Sequence, residues 1–232
     1  YEAMWDQLRE QDHWEGEIWN RHKNGEIYPE WESITTVRDE QGRIAHYVAV
    51  FHEIIEQKRL EAELERLATH DRLTGICNRA KIYELLEIAR EENERYATPF
   101  SVIMLDVDHF KAVNDRLGHH AGDEALRELT RRIDGVLRGT DAFGRWGGEE
   151  FLVLASHADG QDAAELAERL RARVARTPFE GMGAVTISLG VAAYEPGETL
   201  EGLERRVDSA LYAAKEAGRD RVAMAEVSAQ QK

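Results

Sequence analysis

Arg145 to Leu154 reads RWGGEEFLVL: two glycines, two adjacent carboxylates, then an unbroken apolar run. The glycines permit a tight hairpin, and the run from Phe151 suits a strand covered on both faces. Glu149 and Glu150 therefore sit at the mouth of a buried strand. A second stretch, SVIMLDVDHFKAVND from Ser101 to Asp115, ends its own apolar run on Asp106. Outward from these two, strands and helices alternate beyond Asp71. Helices are expected near 79–95, 119–137, 160–176 and 200–217, and strands near 100–106, 141–146, 149–156, 184–193 and 220–226. The pattern predicts an α/β (α+β) domain with a central sheet flanked by helices.

Upstream the character changes twice. WEGEIWNRH, EIYPEWESITTVRD and RIAHYVAVFHE are rich in aromatic and β-branched residues, with Asn24-Gly25 and Gln41-Gly42 at the turns. They read as an antiparallel three-stranded meander. Such a sheet has one apolar face and is marginal without a partner surface. From Ile54 to Thr69 the chain becomes helical, with Leu60, Leu64 and Leu67 forming a narrow seam among Glu, Lys and Arg. A seam this narrow favours pairing with another helix over lying on its own domain. Three pieces follow: 1–53, a linking helix at 54–70, and 71–232.

Composition narrows the chemistry. Across 232 residues, 42% hydrophobic and 32% charged, the net charge is -15. That excludes a generic nucleic-acid binder, which needs a basic face to displace counterions. The single cysteine, Cys77, forbids an internal disulfide and a Cys-rich metal site, and suits a reducing, cytoplasmic setting. No apolar run approaches the roughly 20 residues that span a bilayer. The opening YEAMWDQLRE lacks the order of a signal peptide. A chain that opens on Tyr1 reads as part of a longer protein, whose upstream portion could carry a membrane attachment.

Asp106, Glu149 and Glu150 are hard oxygen donors on two strand ends. That set suits Mg²⁺ or Mn²⁺, which accept one or two carboxylates and complete their shell with substrate phosphates, and disfavours zinc. Singly, each acid could equally cap or solvate a strand end.

Five motifs in order, HDRLTGICNR, DVDHFKAVNDRLGHHAGDEAL, RGTDAFGRWGGEEF, TISLGVA and ALYAAKEAGRDRV, give Thr69 to Glu226 its resemblance to the GGDEF-domain diguanylate cyclases, in the GGEEF variant. The resemblance implies a fold similar to nucleotidyl cyclases and polymerase palm domains, and the joining of two GTP into cyclic di-GMP with loss of two pyrophosphates. It assigns Asp106, the Val107 carbonyl and Glu149 to two divalent ions. Glu150 supports either the metal or the proton transfer, completing a catalytic set of Asp106, Glu149 and Glu150. Phe110 and Lys111, in VDHFK, belong to the loop that meets the β and γ phosphates through main-chain N–H groups at a helix start. His109 replaces a common aromatic there, a minor departure where contact is through backbone. Asn114 and Asp123 read guanine, Leu126 packs on the base, and Lys215 with Arg219 binds phosphate. Asp220 stands where relatives commonly have Asn.

The same resemblance makes RGTD, through Arg138 and Asp141, a product-inhibition site with Arg169 as its secondary arginine. In HDRLTGICNR, Asp71 and Arg79 are expected to tie the entering helix to the domain, Asn78 to cap the next helix, and Cys77 to be a buried spacer. Plainer readings stay open: Asp123 as a helix N-terminal acid, Lys215 and Arg219 as an exposed helix-end pair, RGTD as a surface ion pair.

One domain holds one GTP while the reaction joins two, so a homodimer is implied. The meander resembles the C-terminal half of a PAS sensor domain; its ligand is unknown. The linking helix is then expected to transmit sensor state by altering how cyclase domains meet. Two other classes compete: a catalytically inactive receptor for cyclic di-GMP, and a dimerisation module without chemistry.

Overall fold

The computed structural model describes residues 1–226. Residues 227–232, the end of the expected 71–232 domain, lie outside the described residues. The chain divides into two compact units, Tyr1–Arg66 and Leu67–Lys232.

The first unit holds the expected meander: β1 (His13–Arg21), β2 (Ile27–Arg38) and β3 (Ile44–Glu53), antiparallel throughout in the order β1-β2-β3. It begins with a helix that the sequence reading left unassigned, α1 (Glu2–Gln11). Met4 and Leu8, four residues apart on one helix face, are buried against Ile34 with Trp14 alongside. They cover part of the sheet. β3 stays exposed along its length, including Val50 and Phe51. The linking helix is α2 (Ile55–Thr69), none of whose side chains is buried. Its first turn is held by Lys58 Nζ on Glu17 at 2.7 Å, while Leu60 and Leu64 are 55% and 66% exposed.

In the second unit, five strands form one sheet in the order β5-β6-β4-β7-β8: β4 (Phe100–Val107), β5 (Ala142–Gly147), β6 (Glu150–Ser156), β7 (Ile187–Ala193) and β8 (Val222–Met224). Only the β7–β8 pairing is parallel. β4 and β6 are apolar almost throughout because helices cover both faces, as the sequence pattern predicts. Alternate residues of β4 divide between two cores. Ile103, Leu105 and Val107 face α5 (His119–Asp134) and α6 (Gly160–Ala175). Val102 and Met104 face α3 (Arg79–Tyr96) and α7 (Leu200–Glu216).

Four helices and five strands match the expected list, with three larger shifts in boundary: α5 ends at Asp134, β7 begins at Ile187 and β8 shrinks to Val222–Met224. An extra two-turn helix, α4 (Phe110–Leu117), precedes α5. Gly118, at φ 84°, separates the two, and a helix this short shows little periodicity.

α7 lies unusually close to the sheet. A Cβ built on Gly190 of β7 would stand 2.4 Å from both the Leu211 nitrogen and the Val207 oxygen. Glycine at this position lets the helix backbone rest directly on the strand.

Candidate active site

The site gathers at one end of β4. In the antiparallel register Asp106 lies opposite Glu150 of β6 and opposite Ser188 of β7, so the three side chains share a sheet face. Glu149 precedes β6 in the turn, and its carbonyl faces the Val107 N–H at 3.4 Å. Asp106 is 7% exposed. Burial pushes its carboxyl up to about 6, a rise that Lys215 opposes and the charges of Glu149 and Glu150 reinforce. From the end of α7, Lys215 Nζ reaches Asp106 Oδ2 at 2.8 Å. A half-buried ammonium is thus the counter-charge to a buried acid flanked by two more.

This donor set fits a hard divalent cation. Among the described residues, no three His, Cys, Asp or Glu side chains converge into a ready cage. A cation held here completes its shell with other oxygens, as Mg²⁺ does.

The hairpin bearing Glu149 is braced by Arg145, a residue that the sequence reading passed over. Its Nε and Nη2 donate to the Gly148 carbonyl at 2.9 and 2.7 Å, and its Nη1 donates to Asp71 Oδ1 at 3.1 Å. Gly148 takes φ 53°, a left-handed turn that favours glycine. Burial resists ionisation of Asp71, but the Thr74 hydroxyl and N–H and the Arg145 guanidinium outweigh it and hold the carboxyl below its usual range. Asp71, two residues past the end of α2, therefore ties the chain that enters the domain to the hairpin. Arg79 departs from expectation: it pairs with Glu204 at 3.3 Å and stacks on Trp146 at 4.4 Å. The end of α2 is held instead by Asn78, which donates from Nδ2 to the Ala68 carbonyl at 2.8 Å and from its N–H to Thr69 at 2.9 Å. Asn78 also caps α3, accepting from the Lys81 N–H, as expected. Cys77 is half-buried, and burial pushes its thiol up, away from the reactive thiolate.

Beyond β4 the chain turns at His109, φ 57°, into α4 without a side-chain cap on the first turn. Its opening N–H groups lack intrahelical acceptors, the arrangement that receives anions. Phe110 is buried and Lys111 exposed. Asn114 lies against Gly122: a Cβ there would stand 2.0 Å from Asn114 Oδ1. That contact packs Asn114 of α4 against the first turn of α5, a helix that also carries half-buried Asp123. Leu126 is 1% exposed, in the core cluster that also holds Phe110.

Asp108 was absent from the expected set. It is 5% exposed and its carboxylate accepts from Thr186 Oγ1 at 2.7 Å, Ser188 Oγ at 2.7 Å and the Asp220 N–H at 3.1 Å. Arg219 and Asp220 both have positive φ, 63° and 45°, in the turn after α7. Arg138 and Asp141 form a separate turn, with the Arg138 N–H donating to Asp141 Oδ2 at 2.9 Å. Among the described residues, no ion pair joins their side chains. They border a groove of about 470 Å³ with His70 and Phe143. Arg169 sits exposed on α6 and is not among the groove's lining residues.

Residues 68–221 match the family model for the diguanylate cyclase GGDEF domain. The chain belongs to this family. It is 42% identical over 175 residues to the diguanylate cyclase DgcM of Escherichia coli, covering 75% of this chain and 43% of that protein. With the diguanylate cyclase DgcP of Pseudomonas aeruginosa it shares 40% identity over 178 residues, 75% of this chain and 26% of that protein. The chain thus spans less than half the length of either relative. Among solved structures, the coiled coil and GGDEF domain of DgcB from Caulobacter crescentus, in complex with c-di-GMP, superposes with a TM-score of 0.68 at 35% identity. That match covers 73% of this chain and 94% of the other. The active GGEEF domain of a Vibrio cholerae diguanylate cyclase gives a TM-score of 0.63 at 35% identity, over 66% of this chain and 99% of the other. No helix among the described residues is long and apolar enough to cross a membrane.

Proposed function

We propose that this chain is a diguanylate cyclase that condenses two GTP into cyclic di-GMP. In each of two steps a 3′-oxygen bonds to the α-phosphorus of the other nucleotide, the bond to pyrophosphate breaks, and the hydroxyl proton is lost. The observation that carries the reading is buried Asp106 facing Glu150, beside Glu149, with Lys215 at 2.8 Å. A buried acid driven up to about 6, chiefly by burial and further by the charges of Glu149 and Glu150, favours the approach of more cationic charge than Lys215 alone supplies. Asp106, the Val107 carbonyl and Glu149, with Glu150 adjoining, would hold Mg²⁺ or Mn²⁺, which supplies Lewis-acid stabilisation of the attacking and leaving oxygens. The uncapped start of α4 receives the terminal phosphates, and Lys215 and Arg219 add cationic charge beside them. Asn114 and Asp123 read the base: a carboxylate accepts from both N1–H and the N2 amine of guanine, a pair that adenine lacks.

Two chains must face each other to complete the reaction, and the exposed Leu60 and Leu64 of α2 support pairing through that helix. We assign the meander to the C-terminal part of a PAS-like sensor that regulates this pairing. Arg138 and Asp141, with Arg169, form a product site where cyclic di-GMP restrains turnover. The test is to incubate the purified chain with GTP and Mg²⁺ and assay cyclic di-GMP and pyrophosphate. Glu149→Gln should abolish product while leaving the unfolding profile intact. A confirmed dimer that binds cyclic di-GMP but makes none would establish the receptor alternative.

A further inference from the structure

Asp108 is a buried acid whose carboxylate is taken up by three protein donors, and it joins three segments that sequence separates widely. It follows the metal-binding strand directly. Its oxygens accept from the two hydroxyls at the start of β7, Thr186 and Ser188, and from the Asp220 N–H in the turn after α7. That turn has three successive residues at positive φ, Gly218 at 113°, Arg219 at 63° and Asp220 at 45°. Two of them are not glycine, so the conformation must be imposed from outside. A second contact contributes: Arg171 of α6 donates to Asp220 Oδ1 at 2.6 Å while it is also held by Glu168 at 2.6 Å. Asp220 is thus gripped by its N–H from one side and by its carboxylate from the other.

We infer that Asp108 is a positioning residue: it clamps the turn bearing Arg219, together with the end of α7 that carries Lys215, against the metal-binding end of β4. The inference rests on the reading of Lys215 and Arg219 as phosphate ligands. The physical need is plain. Two phosphate-binding cations from α7 and its following turn, and the carboxylates from β4 and β6, must meet one triphosphate, and misplacement of about 1 Å can cost about 100-fold in rate. A carboxylate is all acceptor, and here three donors converge on it. The Arg171 contact helps explain aspartate at 220: its carboxylate takes a charge-assisted bond from the guanidinium.

The experiment compares Asp108→Ala, Asp108→Asn and Arg171→Met with the unaltered chain. It measures KM and kcat for GTP, binding of a non-hydrolysable GTP analogue, and cyclic di-GMP binding at Arg138 and Asp141. Asp108→Ala should raise KM and weaken analogue binding at least tenfold. Asp108→Asn, which keeps an acceptor for Asp220 and can donate to a hydroxyl, should stay within about threefold of the unaltered chain. Arg171→Met should raise KM about threefold with kcat nearly unchanged, and cyclic di-GMP binding should persist in every variant. Unchanged GTP affinity in a folded Asp108→Ala variant overturns the clamp, as does an equal loss in Asp108→Asn, which would assign the effect to charge. Should Asp108→Ala fail to fold, Arg171→Met decides, since an unchanged KM there removes the proposal. If the unaltered chain neither binds nor converts GTP, the cyclase reading has failed instead.

Discussion

Replacing Asp106 by Asn should stabilise the metal-free protein while abolishing its activity. The carboxyl rises from 3.8 to about 6 in the fold, chiefly through burial. Between those values the folded state binds more protons than the unfolded state, so stability falls as pH rises through that window. At pH 7 the ionised group therefore costs about 3 kcal/mol relative to its protonated form. Asn imitates that protonated form, so the same amount should be recovered. For a unit of this size it corresponds to a rise in melting temperature of roughly 6–12 °C. The assay is thermal unfolding with a chelator present, for both chains, at pH 4 and pH 7. The gap should be large at pH 7 and nearly closed at pH 4. An Asn variant that melts at or below the unaltered chain at pH 7, or a gap indifferent to pH, would refute the claim that burial keeps this acid under strain. Added Mg²⁺ should narrow the gap at pH 7, because it stabilises only the chain with the carboxylate.

Gly122→Ala should drive the Asn114 side chain from its seat, given the 2.0 Å approach to Oδ1; losing one base contact worth about 1–2 kcal/mol raises KM for GTP roughly 5- to 30-fold. An unchanged KM would separate Asn114 from base recognition. Gly190→Ala forces a methyl into the α7 backbone at 2.4 Å, so unfolding should show a loss of about 1–3 kcal/mol or more together with reduced turnover as Lys215 shifts. Arg138→Ala should relieve inhibition by added cyclic di-GMP without lowering the initial rate; persistent inhibition would return RGTD to an ordinary turn.

The sheet and its covering helices were legible because β4 and β6 are apolar without interruption and because helical periodicity sets in after Asn78, Asp159 and Thr199, each of which caps its helix. α1 and α4 were not: Met4 and Leu8 mark a helix only once Ile34 is known to receive them, and α4 is too short to show a pattern. The placement of Asp106 and Glu150 at facing strand ends, with Glu149 in the turn beside them, was readable from two apolar runs that each meet a carboxylate. Asp108 and Arg145 were hidden, since their partners at Ser188, Asp220 and Asp71 lie far away along the chain.

Asn78 uses one side chain on two helices, its oxygen capping α3 and its amide nitrogen holding the last turn of α2 at Ala68. Such a joint has no slack. α3 leans on the strand that ends at the glycine hairpin: a Cβ on Gly144 would stand 3.0 Å from Ile82. One residue thus joins the end of α2, the cap of α3 and, through Ile82, the strand that leads to the two acids.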